Sequence, residues 1–206
     1  MSAAPTRPFD WGDELPRLDT PRAVIRGMTA ADVPALYEIF RDPEVTRYWS
    51  WPAYTHPAQA AALLAEIDEL FEERTLFQWG VARREDDRVV GTVTLFAIEW
   101  ENRRGEVGFA LGRAAWGRGL MREALAALFD FAFDTLGFHR LEADVDPRNE
   151  RSLAVLERHG FRREGLLRER HIVAGEIQDS VMLGLLAREW RGRPQDTARR
   201  VAESST

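Results

Sequence analysis

Two glycines separated by one residue precede a long segment of helical periodicity, and they form the first candidate site. Gly117 and Gly119 let the backbone turn with positive φ and let a ligand approach without meeting a Cβ. The amides from Arg118 to Arg122 would be the unpaired donors of a helix N-terminus, where N–H groups and the helix dipole attract anions. These two arginines add positive charge at the same end. The pattern favours a diphosphate site, although a tight turn from strand to helix without any ligand explains the same glycines.

A dinucleotide site of the Rossmann type is the first alternative, and the residues argue against it. That motif requires Gly-x-Gly-x-x-Gly directly after a first strand, with an acidic residue about 20 residues further on. Here Arg122 stands where the third glycine would be, and several other elements precede the motif. We therefore set this class of site aside.

Composition excludes several other chemistries. Cysteine is absent, which excludes disulfides, thiol nucleophiles and thiolate metal sites. All 28 basic residues are arginine, so the lysines of P-loops, protein kinases and Schiff-base enzymes are missing, and the four histidines show no metal-ligand spacing. The net charge of −6 disfavours nucleic acid as a partner, because phosphate neutralisation dominates such binding. Without an apolar run of about 18 residues or an apolar signal region, we expect a cytoplasmic protein without a membrane partner.

Hydrophobic periodicity and turn signals predict a mixed series of elements that would position these residues. We expect strands over 23–28, 76–84, 89–100, 106–111, 139–145, 161–170 and 176–186, and helices over 33–42, 57–74, 119–136 and 147–159. This order predicts an α/β domain of three layers around a largely antiparallel sheet, with one parallel pair in its middle. Residues 1–21 are expected to form an irregular arm that packs through Phe9 and Trp11, residues 22–190 the domain, and residues 191–206 a polar tail.

A second motif lies on the helix after the strand at 139–145. Asn149-Glu-Arg-Ser152 begins that helix, and Leu156-Glu-Arg-His-Gly-Phe161 ends it. Together with Trp-Gly-Arg-Gly-Leu-Met-Arg-Glu-Ala124, this motif resembles the GNAT acetyltransferases, and most closely the branch of RimJ/RimL-like N-acetyltransferases. Leu18-Asp-Thr-Pro-Arg22 is similar to the opening of that branch, and the resemblance extends over residues 18–190.

The resemblance implies a GNAT-like fold with a splayed parallel strand pair and acetyl-CoA as co-substrate, without a metal. The diphosphate would be held by the loop amides, and the pantetheine arm would lie in the gap like a short extra strand along residues 109–111. Asn149 would contact the pantetheine, and Ser152 would lie near the thioester sulfur or the phosphates. The implied cofactor-binding residues are Phe109, Ala110, Leu111, Trp116, Gly117, Arg118, Gly119, Leu120, Met121, Arg122, Asn149 and Ser152.

Three residues depart from the general pattern of the superfamily. Trp116 stands where many members carry Gln or Arg, although Trp is usual in the RimJ/RimL-like branch, and Met121 stands where many carry Gly or Ala. Leu156 occupies the position of a Tyr that serves many members as general acid for the leaving thiolate. Ser152 is a candidate for that role, and a reaction without any acid is the alternative, because a CoA thiol leaves far more readily than an amine.

Glu106 is the candidate general base. At pH 7, deprotonation costs about 4.6 kcal/mol for a lysine amine but only about 1 kcal/mol for an α-amine, so a weak base is enough for an α-amine. Glu106 begins the strand that leads to the glycine loop, where the family often places a Glu, and it would take the proton through water. A solvated acid at a strand end is the alternative interpretation of Glu106. A backbone N–H near Phe109 would meet the developing oxyanion.

These inferences together predict an acetyl-CoA-dependent N-acetyltransferase that transfers acetyl directly to a primary amine. A protein N-terminal α-amine is the leading acceptor, and a small-molecule amine is the alternative. A catalytically silent acyl-CoA-binding sensor is the rival from another class, consistent with Leu156 at the usual Tyr position. Similar proteins are often homodimers, although no feature of this sequence demands one.

Overall fold

The computed structural model describes residues 9–193, which build one eight-stranded sheet with helices on both faces. The start of the predicted arm and residues 194–206 of the predicted tail lie outside this range. The strands are β1 (Leu18–Asp19), β2 (Ala23–Arg26), β3 (Phe77–Arg83), β4 (Val89–Glu99), β5 (Arg104–Leu111), β6 (Arg140–Val145), β7 (Arg162–Val173) and β8 (Glu176–Leu186). The helices are α1 (Val33–Phe40), α2 (Pro43–Thr46), α3 (Pro57–Glu72), α4 (Leu120–Asp130), α5 (Glu150–Arg158) and α6 (Ala187–Arg191). None of the helices within residues 9–193 is long and apolar enough to cross a membrane.

The sheet has the order β1-β2-β3-β4-β5-β6-β8-β7, and β5 and β6 are its parallel pair. Every other neighbouring pair is antiparallel. The parallel register runs from Arg104 opposite Arg140 to Glu106 opposite Glu142 and then ends, so the two strands splay beyond Glu106. The predicted mixed sheet with one parallel pair in its middle is confirmed, because the crossover through α4 brings β6 back beside β5 in the same direction.

Two apolar cores, one on each face of the sheet, give the three predicted layers. One core packs α4 on the sheet, with Trp79, Leu125 and Leu128 fully buried. The other packs α1 and α3 on the opposite face, through residues such as Phe40 and Leu64. Leu120, Ala124 and Leu128 of α4 are buried on the sheet because their spacing of four residues places them on one face of the helix.

Four local elements differ from the sequence prediction. β1 lies within the predicted irregular arm and pairs with β2. Where a helix stop was expected, α2 forms, because the Asp42 side chain accepts from the Glu44 N–H at 3.0 Å. The long helix ends earlier, since Phe131–Thr135 form a π-helical turn that buries three consecutive side chains. α6 extends into the start of the predicted tail.

The chain before β1 packs through an aromatic residue. Residues 9–17 form no helix or strand, and Trp11 stacks on Phe77 of β3 with ring centroids 3.7 Å apart. Phe9 meets Trp11 edge-on at 5.0 Å. Such stacked and edge-on ring pairs add to the free energy of burial, so this segment covers the end of the core.

His159 joins α5 to α4 inside the protein. Its Nδ1 lies 2.8 Å from the Val155 carbonyl oxygen, and its Nε2 lies 3.0 Å from the carbonyl oxygen of Arg122. The imidazole also meets Phe129 edge-on, with ring centroids 5.4 Å apart. Burial lowers the pKa of His159, since the charged imidazolium loses its hydration.

We expect His159 to make stability depend on pH. Because its pKa is lower in the folded protein, the unfolded chain binds more protons below about pH 6.5, and the free energy of unfolding falls as the pH falls through that value. The contribution of this one group to the slope is at most about 1.4 kcal/mol per pH unit. Urea unfolding of His159→Gln between pH 5 and 7 should show a shallower slope, whereas the exposed control His139→Gln should keep the original one. Equal slopes for both variants would contradict the assignment.

Candidate active site

The glycine loop between β5 and α4 presents unpaired N–H groups. Gly117 has φ 73° and Gly119 has φ 74°, a left-handed conformation that favours glycine, and Gly119 is the N-cap of α4. Within residues 9–193, no protein acceptor takes the amides of five consecutive residues, Gly117, Arg118, Gly119, Leu120 and Met121. Arg122 follows in the first turn of α4. These donors stand at the positive end of the helix dipole, which suits an anion.

The open edge of β5 begins where its pairing with β6 ends. The Gly112 N–H donates to the Val90 carbonyl across the Gly91–Leu111 pair at 2.8 Å, so the peptide groups of Leu111 face away from β4. By strand alternation, the peptide groups of Phe109 face the same way, into the gap. Those of Ala110 face β4 instead, so Ala110 brings only a small side chain to this region.

Trp116 occupies one end of this gap. Its indole Nε1–H donates to the Leu111 carbonyl at 2.6 Å, so the carbonyl is already paired and Leu111 offers its N–H alone. The Arg151 guanidinium of α5 lies over the indole at 4.4 Å from the ring centroid. The N-terminal turn of α5 is thereby brought beside the loop, which the sequence motifs alone did not show.

The first turn of α5 carries the two residues of the second motif. The Asn149 Oδ1 accepts the Ser152 N–H at 3.2 Å, so Asn149 caps the helix and keeps its amide N–H groups for other partners. The Ser152 hydroxyl makes no hydrogen bond within the described chain. Leu156, one helical turn further, is fully buried in the apolar core. No proton donor therefore stands at the position where the resemblance leads us to look for a Tyr.

Glu106 lies at the last position where β5 pairs with β6, and it is half-buried. Burial is the largest cause that raises its pKa, and the charges of Asp144 and Glu142 raise it further. The Glu142 carboxylate accepts from Arg104 and Arg140, and that of Asp144 accepts from Ser180 and lies 2.8 Å from the Arg170 Nε.

Glu106 itself has no hydrogen-bond or ion-pair partner among residues 9–193. The charges of Arg170 and Arg104 lower its pKa, but less than burial, Asp144 and Glu142 raise it, so its surroundings differ from those of a solvated strand-end acid.

Sequence reasoning missed the residues that surround the loop and Glu106. Glu142 and Asp144 alternate with buried Leu141 and Ala143 in β6, so the period marks their common face, but only the parallel register places that face beside Glu106. Arg151 carries no local signal. Within the described residues, no group of three or more metal-binding side chains is arranged to hold a metal ion.

Known proteins match most of the length of this chain. The family model described as an acetyltransferase (GNAT) domain matches residues 22–162. The uncharacterised N-acetyltransferase p20 of Bacillus licheniformis is 37% identical over 175 residues, which cover 85% of this chain and 98% of that protein. The ribosomal protein uS5-alanine N-acetyltransferase of Escherichia coli K12 is 26% identical over 88% of this chain and 97% of that protein. A GNAT-family acetyltransferase structure from Bacillus anthracis, 22% identical, superposes with a TM-score of 0.76 over 84% of this chain and 99% of that one.

We expect alanine at Gly119 to destabilise the protein more than alanine at Gly117. Each substitution costs about 1–2 kcal/mol, since both residues have positive φ. A Cβ on Gly119 would lie 2.6 Å from the Arg22 Nη2, whereas a Cβ on Gly117 would meet nothing within 4 Å. Gly119→Ala should therefore cost up to about 1 kcal/mol more, the value of the exposed Arg22–Glu123 ion pair it disturbs. Chemical unfolding in an Arg22→Ala background should remove this difference, and its persistence there would contradict the explanation.

Proposed function

Because this chain belongs to the GNAT acetyltransferase family and is an N-acetyltransferase, we propose that it transfers acetyl from acetyl-CoA directly to a protein N-terminal α-amine. One observation carries the proposal. Glu106, a half-buried carboxylate that forms no ion pair within residues 9–193, lies on the strand whose free edge begins at the next residues. A proton acceptor and a binding edge for an extended ligand are thereby adjacent.

The residues fit acetyl-CoA, which supplies an acetyl group activated as a thioester. The five free amides of the loop, with the positive charge of Arg118 and Arg122, suit a diphosphate. The Phe109 N–H and carbonyl and the Leu111 N–H suit the amide groups of a pantetheine arm, which can pair with an open strand edge. Asn149 has free amide N–H groups at the start of α5 for the same arm.

Of the three catalytic tasks, this chain has a group for deprotonating the amine and one for stabilising the oxyanion, and departure of the thiolate needs no group. Glu106 accepts a proton from the incoming ammonium through water, and its raised pKa brings it nearer to the working pH. The Phe109 N–H is the donor proposed for the carbonyl oxygen as charge develops on it. The leaving thiol is a far better leaving group than an amine and departs as thiolate without help, which suits a site where Leu156 replaces a proton donor.

The choice of an α-amine is supported by acid–base chemistry and by one relative. A base that acts through water is sufficient to deprotonate an amine of pKa about 8, but it offsets little of the free energy needed to deprotonate a lysine amine at pH 7. The Escherichia coli relative is named for acetylating an alanine, and the only amine of alanine is its α-amine. A small amine of similar pKa is the alternative acceptor.

We expect free CoA to be released when the protein receives acetyl-CoA and a peptide with an unblocked N-terminal alanine. The same peptide with a blocked N-terminus and an internal lysine should give far less thiol, because the lysine amine is almost wholly protonated at pH 7. Thiol release and peptide mass are the measurements. Since this chain has no lysine, any self-acetylation is confined to its own N-terminus and is read from its intact mass.

Release of CoA with small amines alone would favour the alternative acceptor, and binding of acetyl-CoA without release of CoA would favour the sensor.

We expect Glu106→Gln to lower kcat by about 10²-fold at pH 7, the lower end of the range for a general base. The wild-type rate should fall as the pH falls through the raised pKa of Glu106, and the variant should lose that dependence while keeping the titration of the amine itself. The gap between the two should narrow near pH 9, where the α-amine is already neutral. Glu101→Gln, an exposed acid in the turn before β5, is the matched control. Full activity of Glu106→Gln at every pH would remove Glu106 as the base.

A further inference from the structure

We propose that Arg22 binds a phosphate group of the coenzyme and that Glu123 and Thr20 position it for this task. The inference rests on the proposed function, because it takes CoA as the ligand of the glycine loop. It adds a residue from the turn between β1 and β2 to a site otherwise built from β5, α4 and α5.

Glu123 orients Arg22 by accepting hydrogen bonds from its inner side. The Arg22 Nε–H donates to Glu123 Oε1 at 2.7 Å, and the Arg22 backbone N–H donates to Oε2 at 3.1 Å. The buried Thr20 hydroxyl lies 3.2 Å from the same Oε2. Three contacts on one carboxylate fix where the Arg22 side chain leaves the β1–β2 turn.

With its Nε committed to Glu123, Arg22 turns its outer nitrogens toward the loop. Nη2 lies 2.6 Å, and Nη1 3.7 Å, from the point that a Cβ on Gly119 would occupy. Neither Nη group donates to a protein acceptor within residues 9–193. Unused guanidinium donors therefore lie beside the unused amides of the loop, and a planar fork of this kind matches a phosphate.

The same arrangement reduces the electrostatic repulsion between Glu123 and a bound diphosphate. Glu123 stands in the first turn of α4, where a bare carboxylate would repel the diphosphate that the loop is proposed to bind. The guanidinium of Arg22 neutralises this carboxylate and presents positive charge on the side of Gly119. The pair thus removes a repulsion and adds a donor.

The space beside Arg22 is open to a ligand. A cleft of about 740 Å³ lies there, and Arg84, Gly117 and Arg118 are among its walls. Arg84 pairs with Asp19, whereas Arg118 has no ion pair within the described chain. Because Arg22, Gly117 and Arg118 line the same cleft, a phosphate bound at the loop would border the space that the Arg22 guanidinium faces.

The test compares CoA with dephospho-CoA, which lacks only the 3′-phosphate, and with pantetheine, which lacks the diphosphate together with the adenosine. Calorimetric titration of Arg22→Gln should show about tenfold weaker binding of CoA than the wild type and unchanged binding of pantetheine, which has no diphosphate, because one charge-assisted hydrogen bond is lost. Dephospho-CoA locates the contact: weaker binding of both nucleotides assigns Arg22 to the diphosphate, and weaker binding of CoA alone assigns it to the 3′-phosphate. Glu123→Gln, which keeps Arg22 but frees its Nε, should weaken the same ligands by a smaller factor.

Arg163→Gln is the matched control, because Arg163 is a similarly exposed arginine paired with Glu157 on another face, and it should bind all three ligands like the wild type. A purely structural Arg22–Glu123 tie predicts that Arg22→Gln binds CoA as tightly as the wild type, or loses pantetheine to the same degree, and either result overturns the proposal. Wild-type protein that binds CoA no better than pantetheine would overturn the proposed diphosphate site and this inference together.

Discussion

The pairing of β5 with β6 ends at Glu106, and the site depends on that short register. Each strand keeps its other partner beyond this point, because β5 continues along β4 to Leu111 and β6 continues along β8 to Val145. Two strands held on their outer sides cannot close the gap between them without breaking those ladders. Among the residues that the structure describes, the main-chain groups of Phe109 and the Leu111 N–H therefore have no strand partner at the centre of an otherwise continuous sheet, where buried polar groups normally find one.

The helices at this edge make the gap chemically useful. α4 follows β5 through a loop of two left-handed glycines, so its positive end points to the place where β5 runs out. α5 begins at the same edge after β6, and the contact between Arg151 and Trp116 ties the two helix starts together. The Trp116 indole also donates to the Leu111 carbonyl, so hydrogen-bond donors are the main groups left for a ligand at this end of the gap. An anionic, extended ligand fits such a surface.

The acidic residues at the other end of the gap have unequal roles. Glu142 pairs with two arginines and Asp144 with one, whereas Glu106 forms no ion pair among residues 9–193. Burial and the charges of Asp144 and Glu142 therefore raise the pKa of Glu106 more than the arginines nearby lower it. A carboxylate whose pKa is raised in the folded protein lowers the free energy of unfolding at neutral pH, and the same raised pKa means that it binds a proton more readily. In the proposed reaction that affinity is what a base requires. The buried Leu156 shows that the opposite task, protonating the leaving group, has no residue at the position where many family members place one.

The sequence by itself determined the features that depend on neighbouring residues. The glycine pair, the helical period of α4 and the mixed order of elements follow from backbone freedom and from periods of 2 and 3.6, which are local properties. Asn149 came from the resemblance to the GNAT family, and Glu106 from that resemblance together with its place at the start of a strand. Only the tertiary structure decided what these residues meet. Arg22 pairs with Glu123, which lies 101 residues further along the chain, and the Trp116 indole donates to the Leu111 carbonyl. The charges of β6 lie beside Glu106. Strand register and helix docking bring these residues together, and no local pattern relates them. Elements of two to five residues, such as β1, α2 and the π-helical turn, also escaped the sequence, since single caps and contacts rather than a repeated period stabilise them.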